Sequence, residues 1–252
     1  MGDFCNITLL ALLQGVAEFL PVSSSGHLVI AQHLLGVNAS GKLLDLSLHV
    51  GTLVSIAVFY RSTIWRIVAG REWRMMLKLA VSAVPAVIVY FLFKNKIDSL
   101  FENAKMVGAL LMFTGAVVGG TRILPQGKGE VTFLRAAWMG LMQAVALLPG
   151  VSRSGMTIAA ARSGGVDPGK SAEFSFLMSA PLIAGGMALE LLSFTVDAPA
   201  AGGWPLILWG MAVAAVSGYL SLMLLVKTLK SRWFWVFGPY CLGVGLVVLW
   251  LL

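Results

Sequence analysis

Two short apolar segments, each interrupted by proline, glycine and serine, are the features that most constrain the fold of this chain. The first spans residues 14–27 and reads Q-G-V-A-E-F-L-P-V-S-S-S-G-H, while the second begins at Gln143 and reads Q-A-V-A-L-L-P-G-V-S-R-S-G-M. Aligned at an offset of 129, residues 14–31 and 143–160 are identical at 8 of 18 positions. Interrupted segments at matching places in two halves of a chain indicate broken helices that meet inside a membrane.

The rest of the sequence is apolar enough to cross a membrane repeatedly. Hydrophobic residues make up 58% of the chain and charged residues 12%, whereas soluble domains carry about 25% charged residues. At about 20 apolar residues per crossing, we predict six transmembrane helices, at 43–60, 75–93, 106–122, 172–192, 206–226 and 233–252. The pairs 7–20 with 28–35 and 133–148 with 157–161 are too short to span, so we predict that they form two re-entrant helical hairpins.

Charges in the predicted loops indicate how the two halves are oriented. Loops 61–74 and 227–232 are strongly basic and are predicted to be cytoplasmic. Loop 94–105 nearly balances three lysines against two acidic residues, and loop 193–205 has Asp197 and no basic residue, so both are predicted to be external. These assignments agree only if the second half enters the membrane from the opposite face. The sequence therefore predicts an all-α polytopic membrane protein with an inverted-topology internal repeat.

This pattern leaves no room for separate soluble domains. We predict one membrane domain, 1–252, with one repeat half at about 1–126 and the other at about 130–252. The net charge of +7 comes from residues clustered in short loops. Topology signalling explains that charge better than nucleic-acid binding does.

The residues after each proline are predicted to lie at helix N-termini. Free backbone N–H groups and the positive end of the helix dipole make such termini anion sites. We therefore expect two facing N-termini to bind the phosphates of a diphosphate. The candidate phosphate-binding residues are Ser23, Ser25, Gly26, Ser152, Ser154, Gly155 and Thr157. Each serine in this set also fits a simple capping role.

Charged residues at the two breaks differ between the copies. Arg153 supplies a fork of donors suited to phosphate oxygens, and Glu18 is its expected protein partner because an unpaired charge inside a membrane is costly. Gln14 lies one helical turn before Glu18, so both side chains face the same way. Glu18 and Gln14 together could ligate a divalent cation, Mg²⁺ or Ca²⁺, through oxygen.

Ser24 and His27 complete the candidate catalytic set with Glu18 and Arg153. The Ser24 hydroxyl could attack phosphorus if an adjacent base, Glu18 or His27, takes its proton. Attack by water or by His27 is the alternative. His27 fits three roles equally well: general acid or base, phosphate ligand, or a residue that orients its neighbours. Thr157, one turn into its helix, could bind phosphate or bond to its own backbone.

These motifs resemble a known family. E-F-L-P-V-S-S-S-G-H at 18–27, L-P-G-V-S-R-S-G-M-T at 148–157 and E-F-S-F-L at 173–177 resemble the signatures of the undecaprenyl-diphosphate phosphatases of the bacitracin-resistance type. The likeness covers essentially the whole chain. The family's acidic motif falls on Gln14 and Glu18, its serine and histidine on Ser24 and His27, and its second motif on 149–157. Gln14 stands where many relatives carry Glu, which implies weaker metal dependence here.

The resemblance implies an enzyme. It would remove the terminal phosphate of undecaprenyl diphosphate, recycling the lipid carrier for cell-wall synthesis and conferring bacitracin resistance. It would use Mg²⁺ or Ca²⁺ in the bacterial plasma (inner) membrane, with a site open to the external, periplasmic face. The expected partners are the polyprenyl diphosphate and membrane lipids, and a homodimer stays open. The alternative is a polyprenyl-phosphate transporter or flippase, because inverted repeats with broken helices are also transporter architecture.

Overall fold

The protein is mostly helical in the part of the chain described by a computed structural model, which comprises residues 2–35, 42–101, 103–193 and 203–251. Short 3₁₀ turns lie at Thr121–Ile123 and Phe234–Val236. The helices in these ranges are α1 Gly2–Phe19, α2 Ser24–Leu35, α3 Lys42–Phe59, α4 Arg61–Val68, α5 Trp73–Leu100, α6 Ala104–Gly120, α7 Phe133–Val145, α8 Arg153–Ser163, α9 Pro168–Ser193, α10 Gly203–Lys230 and α11 Phe237–Leu251.

Five regions of the described chain are long and apolar enough to cross a membrane by themselves, and a bent helix pair makes a sixth if it is counted as one span. Five are single helices: α5, α6, α9, α10 and the segment that contains α11. The sixth is α3 together with α4, which bends by 81° after Phe59. Many large apolar side chains on these helices face outward, such as Phe91 and Leu92 at 66% and 70% exposure. Because lipid is the solvent that accepts such surfaces, the chain is a multi-pass membrane protein.

The segment that we predicted as a loop at 61–74 contains a helix instead. Helix α4 occupies Arg61–Val68 and packs Thr63 against the bundle. Four arginines in this stretch lowered its hydropathy below that of a span, but they do not lower helix propensity. Hydropathy alone therefore missed a short amphipathic helix at the predicted cytoplasmic face.

Glycines let several helix pairs approach closely. Helix α6 packs along α11, and a Cβ placed on Gly115 would lie 2.8 Å from the carbonyl oxygen of Gly238. Helix α1 packs along α10, where a Cβ on Gly15 would lie 2.7 Å from the carbonyl oxygen of Ala214. Small residues at such contacts allow the backbone-to-backbone packing that holds helices together in lipid.

Helix α9 changes environment at Pro181. The residues from Phe174 to Ser179 are buried, whereas Pro181, Gly185 and Gly186 are exposed. Pro181 also has no N–H to bond to the carbonyl group of Leu177. The first half of α9 thus belongs to the protein core, while its second half lies along the edge of the bundle.

Candidate functional site

The site lies where two helix pairs are interrupted. The first break, residues 20–23, separates α1 from α2 and contains Pro21, while the second break, residues 146–152, separates α7 from α8 and contains Pro149. Proline stops a helix because it lacks the backbone donor and clashes with the preceding turn. Each break therefore ends one helix and exposes the N-terminus of the next.

The two breaks cap the following helices in the same way. Ser152 accepts a hydrogen bond from the backbone N–H of Gly155 at 3.1 Å, and Ser23 accepts one from Gly26 at 3.4 Å. A second serine lies beside each cap: the hydroxyls of Ser23 and Ser25 are 3.3 Å apart, and those of Ser152 and Ser154 are 3.2 Å apart. The capping expected for these serines is therefore present at both termini.

The breaks also contact each other. The Ser154 hydroxyl donates a hydrogen bond to the carbonyl oxygen of Leu20 at 3.1 Å. A Cβ placed on Gly26 would lie 3.2 Å from the Cα atom of Gly150. The N-termini of α2 and α8 consequently lie close together inside the bundle.

Glu18 is the centre of the polar contacts between the breaks. Its carboxylate forms an ion pair with Arg153, so the partner expected for this arginine is present. It also accepts a hydrogen bond from the Ser24 hydroxyl at 2.6 Å and one from the Gln14 amide nitrogen at 3.1 Å. The Glu18 side chain is only 5% exposed and that of Arg153 is 19% exposed. Pairing of this kind offsets the cost of burying a carboxylate.

A cavity of about 180 Å³ opens beside this cluster. Six of the residues predicted for the site line it: Glu18, Ser23, Ser24, Ser25, Ser152 and Arg153. Its other lining residues are Ala17, His49, Ala146, Val151 and Ile183. The cavity thus combines two helix N-termini, one guanidinium and one hydroxyl bonded to a carboxylate, which suits an anionic group that reacts with a nucleophile.

Four of the predicted phosphate-binding residues lie outside the cavity lining. Gly26 and Gly155 donate backbone N–H groups to their capping serines. Thr157 donates to the carbonyl oxygen of Arg153 at 2.8 Å and lies 2.6 Å from the Ser175 hydroxyl. Ser154 bonds to the first break, as described above. These contacts hold in place the helix N-termini that border the cavity.

His27 faces away from the cavity. One ring nitrogen lies 2.9 Å from the carbonyl oxygen of Ser23 and the other 2.8 Å from the hydroxyl of Tyr240 on α11. The two rings stack with their centroids 5.6 Å apart. Of the three roles predicted for His27, this geometry best fits orientation of the Ser23 backbone, and with it the first break.

His49 was not predicted as a cavity residue. Its ring nitrogen Nε2 lies 4.0 Å from the Glu18 carboxylate, and its Nδ1 is 2.7 Å from the carbonyl oxygen of Asp45. A polar residue inside an apolar span was a signal of function. The sequence did not show that α3 turns this residue toward the first break.

Some of the oxygen ligands that a divalent cation needs are present. The Gln14 oxygen Oε1 is buried without a hydrogen-bond partner, and its amide nitrogen already bonds to Glu18. A free amide oxygen beside a carboxylate suits Mg²⁺ or Ca²⁺. Across residues 2–35, 42–101, 103–193 and 203–251, however, no group of three or more His, Cys, Asp or Glu side chains is placed to hold a metal ion. Substrate phosphates and water would have to complete the coordination.

These features define an integral membrane protein that crosses the membrane several times and carries a charged pocket among its helices. A family model described as bacitracin resistance protein BacA matches residues 7–247. The chain belongs to this family.

Named relatives match along almost their entire length. The chain is 37% identical to an undecaprenyl-diphosphatase of Desulforapulum autotrophicum, with 95% of each chain aligned. It is 36% identical to an undecaprenyl-diphosphatase of Desulfatibacillum aliphaticivorans, with 97% of each chain aligned. A third, from Halothermothrix orenii, is 35% identical over 98% of this chain and 97% of its own length.

Proposed function

We propose that this protein is a membrane phosphatase that hydrolyses undecaprenyl diphosphate to undecaprenyl phosphate and phosphate, and so recycles the lipid carrier of cell-wall synthesis. The observation that carries the proposal is the Glu18–Arg153–Ser24 cluster, which lies in one cavity between two helix N-termini. The names of the relatives support the substrate. Bacitracin resistance follows as the expected phenotype of the family.

Binding of the diphosphate is assigned to Arg153 and to the N-termini of α2 and α8. Before substrate enters, Arg153 neutralises Glu18. An arriving phosphate offers the guanidinium an alternative partner with matching bidentate geometry. The Glu18 carboxylate is then released from its ion pair while it keeps its hydrogen bond to Ser24. Substrate binding would thereby activate the base at the moment it is needed.

Ser24 is the proposed nucleophile, with Glu18 as its base. The Ser24 oxygen attacks the terminal phosphorus and gives its proton to Glu18, to which it is already bonded at 2.6 Å. The bond from that phosphorus to the bridging oxygen breaks, and undecaprenyl phosphate leaves with this oxygen and takes the proton from Glu18. Water then attacks the phosphoserine and gives a proton to Glu18. The bond from phosphorus to the Ser24 oxygen breaks, Glu18 passes this proton to Ser24, and inorganic phosphate leaves. Direct attack by water would require the same base, but it would leave no phosphoserine to trap.

Glu18 and Gln14 are the residues that would hold Mg²⁺ or Ca²⁺. The partnerless Gln14 oxygen supports this assignment. A cation bound there would neutralise charge that develops on the phosphates. His27 is assigned a positioning role through its contacts with Ser23 and Tyr240.

The architecture that we propose is an inverted repeat of halves at about 1–126 and 130–252. Cross-packing supports it: α1 packs on α10 of the other half, and α7, the equivalent of α1, packs on α5. The pairs α1–α2 and α7–α8 then enter from opposite faces as re-entrant hairpins. Loop charges favour a plasma-membrane topology with the site open to the external face. The lipid chain leaves the site through a lateral opening between helices.

Phosphate release from purified protein in detergent tests this function, because a transporter cannot act without a sealed membrane. We expect the wild-type protein to release phosphate from undecaprenyl diphosphate and Glu18→Gln to lose most of this activity. Arg162→Gln is the control, because it also replaces a buried charged residue with glutamine, but Arg162 donates to the carbonyl oxygen of Leu124, outside the cavity. Absence of phosphate release from well-folded wild-type protein would favour the flippase alternative.

A further inference from the structure

A second cavity adjoins the first and lies between α3 and α9. Its volume is about 340 Å³. It shares His49 and Ile183 with the Glu18 cavity, so the two spaces meet at these side chains. We call it the α3–α9 cleft. Its lining residues are Asp45, Leu46, His49, Leu182, Ile183, Gly186 and Met187.

The cleft begins where α9 leaves the protein core. As described above, the residues of α9 before Pro181 are buried, and those after it are largely exposed. The lining residues of α9 all follow Pro181, and those of α3 lie in its first turns. The cleft therefore runs from the charged cavity toward the lipid-facing edge of the bundle.

Its chemistry differs from that of the Glu18 cavity. Leu46, Leu182, Ile183 and Met187 supply an apolar wall, and neither Lys nor Arg is among the lining residues. An apolar chain gains from contact with these side chains while its diphosphate stays in the charged cavity.

We propose that the α3–α9 cleft binds the first isoprene units of the lipid substrate, and that His49 and Ile183 mark the junction between diphosphate and chain. This inference rests on the proposed function, of which it locates the lateral opening. The occupant must be amphipathic with its anionic end at Arg153, which matches the order of charged and apolar walls along the two cavities.

Gly186 offers a means of filling the cleft without disturbing the bundle. A Cβ placed on Gly186 meets no atom within 4 Å, and the same holds for Gly185. Both are exposed glycines inside α9, but only Gly186 lines the cleft. The same substitution at either position brings an equal gain in helix propensity. Gly185 is therefore a matched control.

The test compares Gly186→Trp with Gly185→Trp in phosphate release from undecaprenyl diphosphate. We expect Gly186→Trp to raise KM about tenfold with kcat within about twofold, because the indole displaces the chain and leaves the reacting groups in place. Gly185→Trp should keep the wild-type KM. An equal rise in both variants, or no rise in either, overturns the assignment of the cleft. An inactive but folded wild-type protein would instead refute the proposed function.

A second measurement reports binding without turnover. A polyprenyl diphosphate with a photoreactive group in its first isoprene units is irradiated with the wild-type protein, and the labelled peptides are identified. Labels within 182–187 of α9 or 45–49 of α3 are expected. Labels confined to other helices would place the chain elsewhere, even if the enzyme is active.

Discussion

The two breaks have the same pattern of capping residues, but the side chains beside them carry opposite charges. Both place a capping serine, a second serine beside it and a glycine at a helix N-terminus. Yet the first break brings the acid and the reactive hydroxyl, whereas the second brings the cation. Capped helix N-termini therefore come in a pair, while Glu18 and Arg153 each come once. The comparison teaches that two similar backbone segments can supply paired helix N-termini, and that the side chains which differ between them give each its own chemistry.

The largest expected effect on activity comes from removing Arg153, the cation at the start of α8 beside the second break. Arg153→Ala should lower kcat/KM by about 10³-fold, the usual scale for loss of a group that stabilises phosphoryl-transfer charge. Phosphate release is the measurement. The exchange Glu18→Arg with Arg153→Glu adds a control, since it keeps an ion pair but moves each charge to the other helix. Recovery of activity in the exchanged protein would mean that the pair is merely structural.

The second-largest expected effect on activity distinguishes two neighbouring serines at the start of α2, beside the first break. Ser24→Ala should lower kcat by at least about 10²-fold because the proposed nucleophile is lost. Ser25→Ala should change it by less than about tenfold, because the Ser25 hydroxyl faces Ser23 instead of Glu18. Trapping of a phosphoserine at residue 24 by acid quench checks the assignment. Similar losses in both variants would argue for attack by water.

A smaller effect concerns the equivalent glutamines Gln14 and Gln143, which are both buried. Gln14→Glu places a second carboxylate beside Glu18 and should make activity about tenfold more dependent on added Mg²⁺ or Ca²⁺. Gln143→Glu buries a carboxylate in the second segment, where Leu147 aligns with Glu18. This variant should have a lower thermal stability. Activity against cation concentration and melting in detergent are the two measurements. An unchanged cation response in Gln14→Glu would remove this residue from the metal site.

The smallest expected effect is on stability and comes from the different backbone conformations of the two capping serines. Ser23 has φ of 67°, in the left-handed region, whereas Ser152 has φ of −75°. Ser23→Gly should therefore stabilise the fold by up to about 1 kcal/mol, since glycine adopts this conformation without strain. Ser152→Gly should cost a few tenths of a kcal/mol through loss of the cap. Shifts of melting temperature with the same sign in both variants would contradict this difference.

Much of the helical layout could be predicted because lipid imposes a simple rule on sequence. Each predicted span coincides with an apolar helix, as 206–226 does with α10 at Gly203–Lys230. Helix α5 extends to Leu100, seven residues beyond the predicted span, because a helix can continue past the apolar zone into charged sequence. The bend before α4 was not predictable from hydropathy, because hydropathy carries no information on the direction of a helix.

The site was predictable only where charge required a partner. Glu18 and Arg153 could be paired because an isolated charge inside a membrane is too costly. The contacts of His49 with Glu18 and of His27 with Tyr240 depend on how each helix is rotated, and no local pattern encodes that rotation. Residues far apart in sequence and neutral or weakly charged were therefore missed or left with several roles.

The contact between the breaks has a consequence for biosynthesis. During translation, an amino-terminal fragment carries the Ser24 hydroxyl and the Glu18 carboxylate but lacks Arg153, the guanidinium of the site. Reactivity should therefore arise only after the ribosome has delivered the later half and both halves have interlocked. Only a protein whose whole chain has been inserted and assembled would then be active.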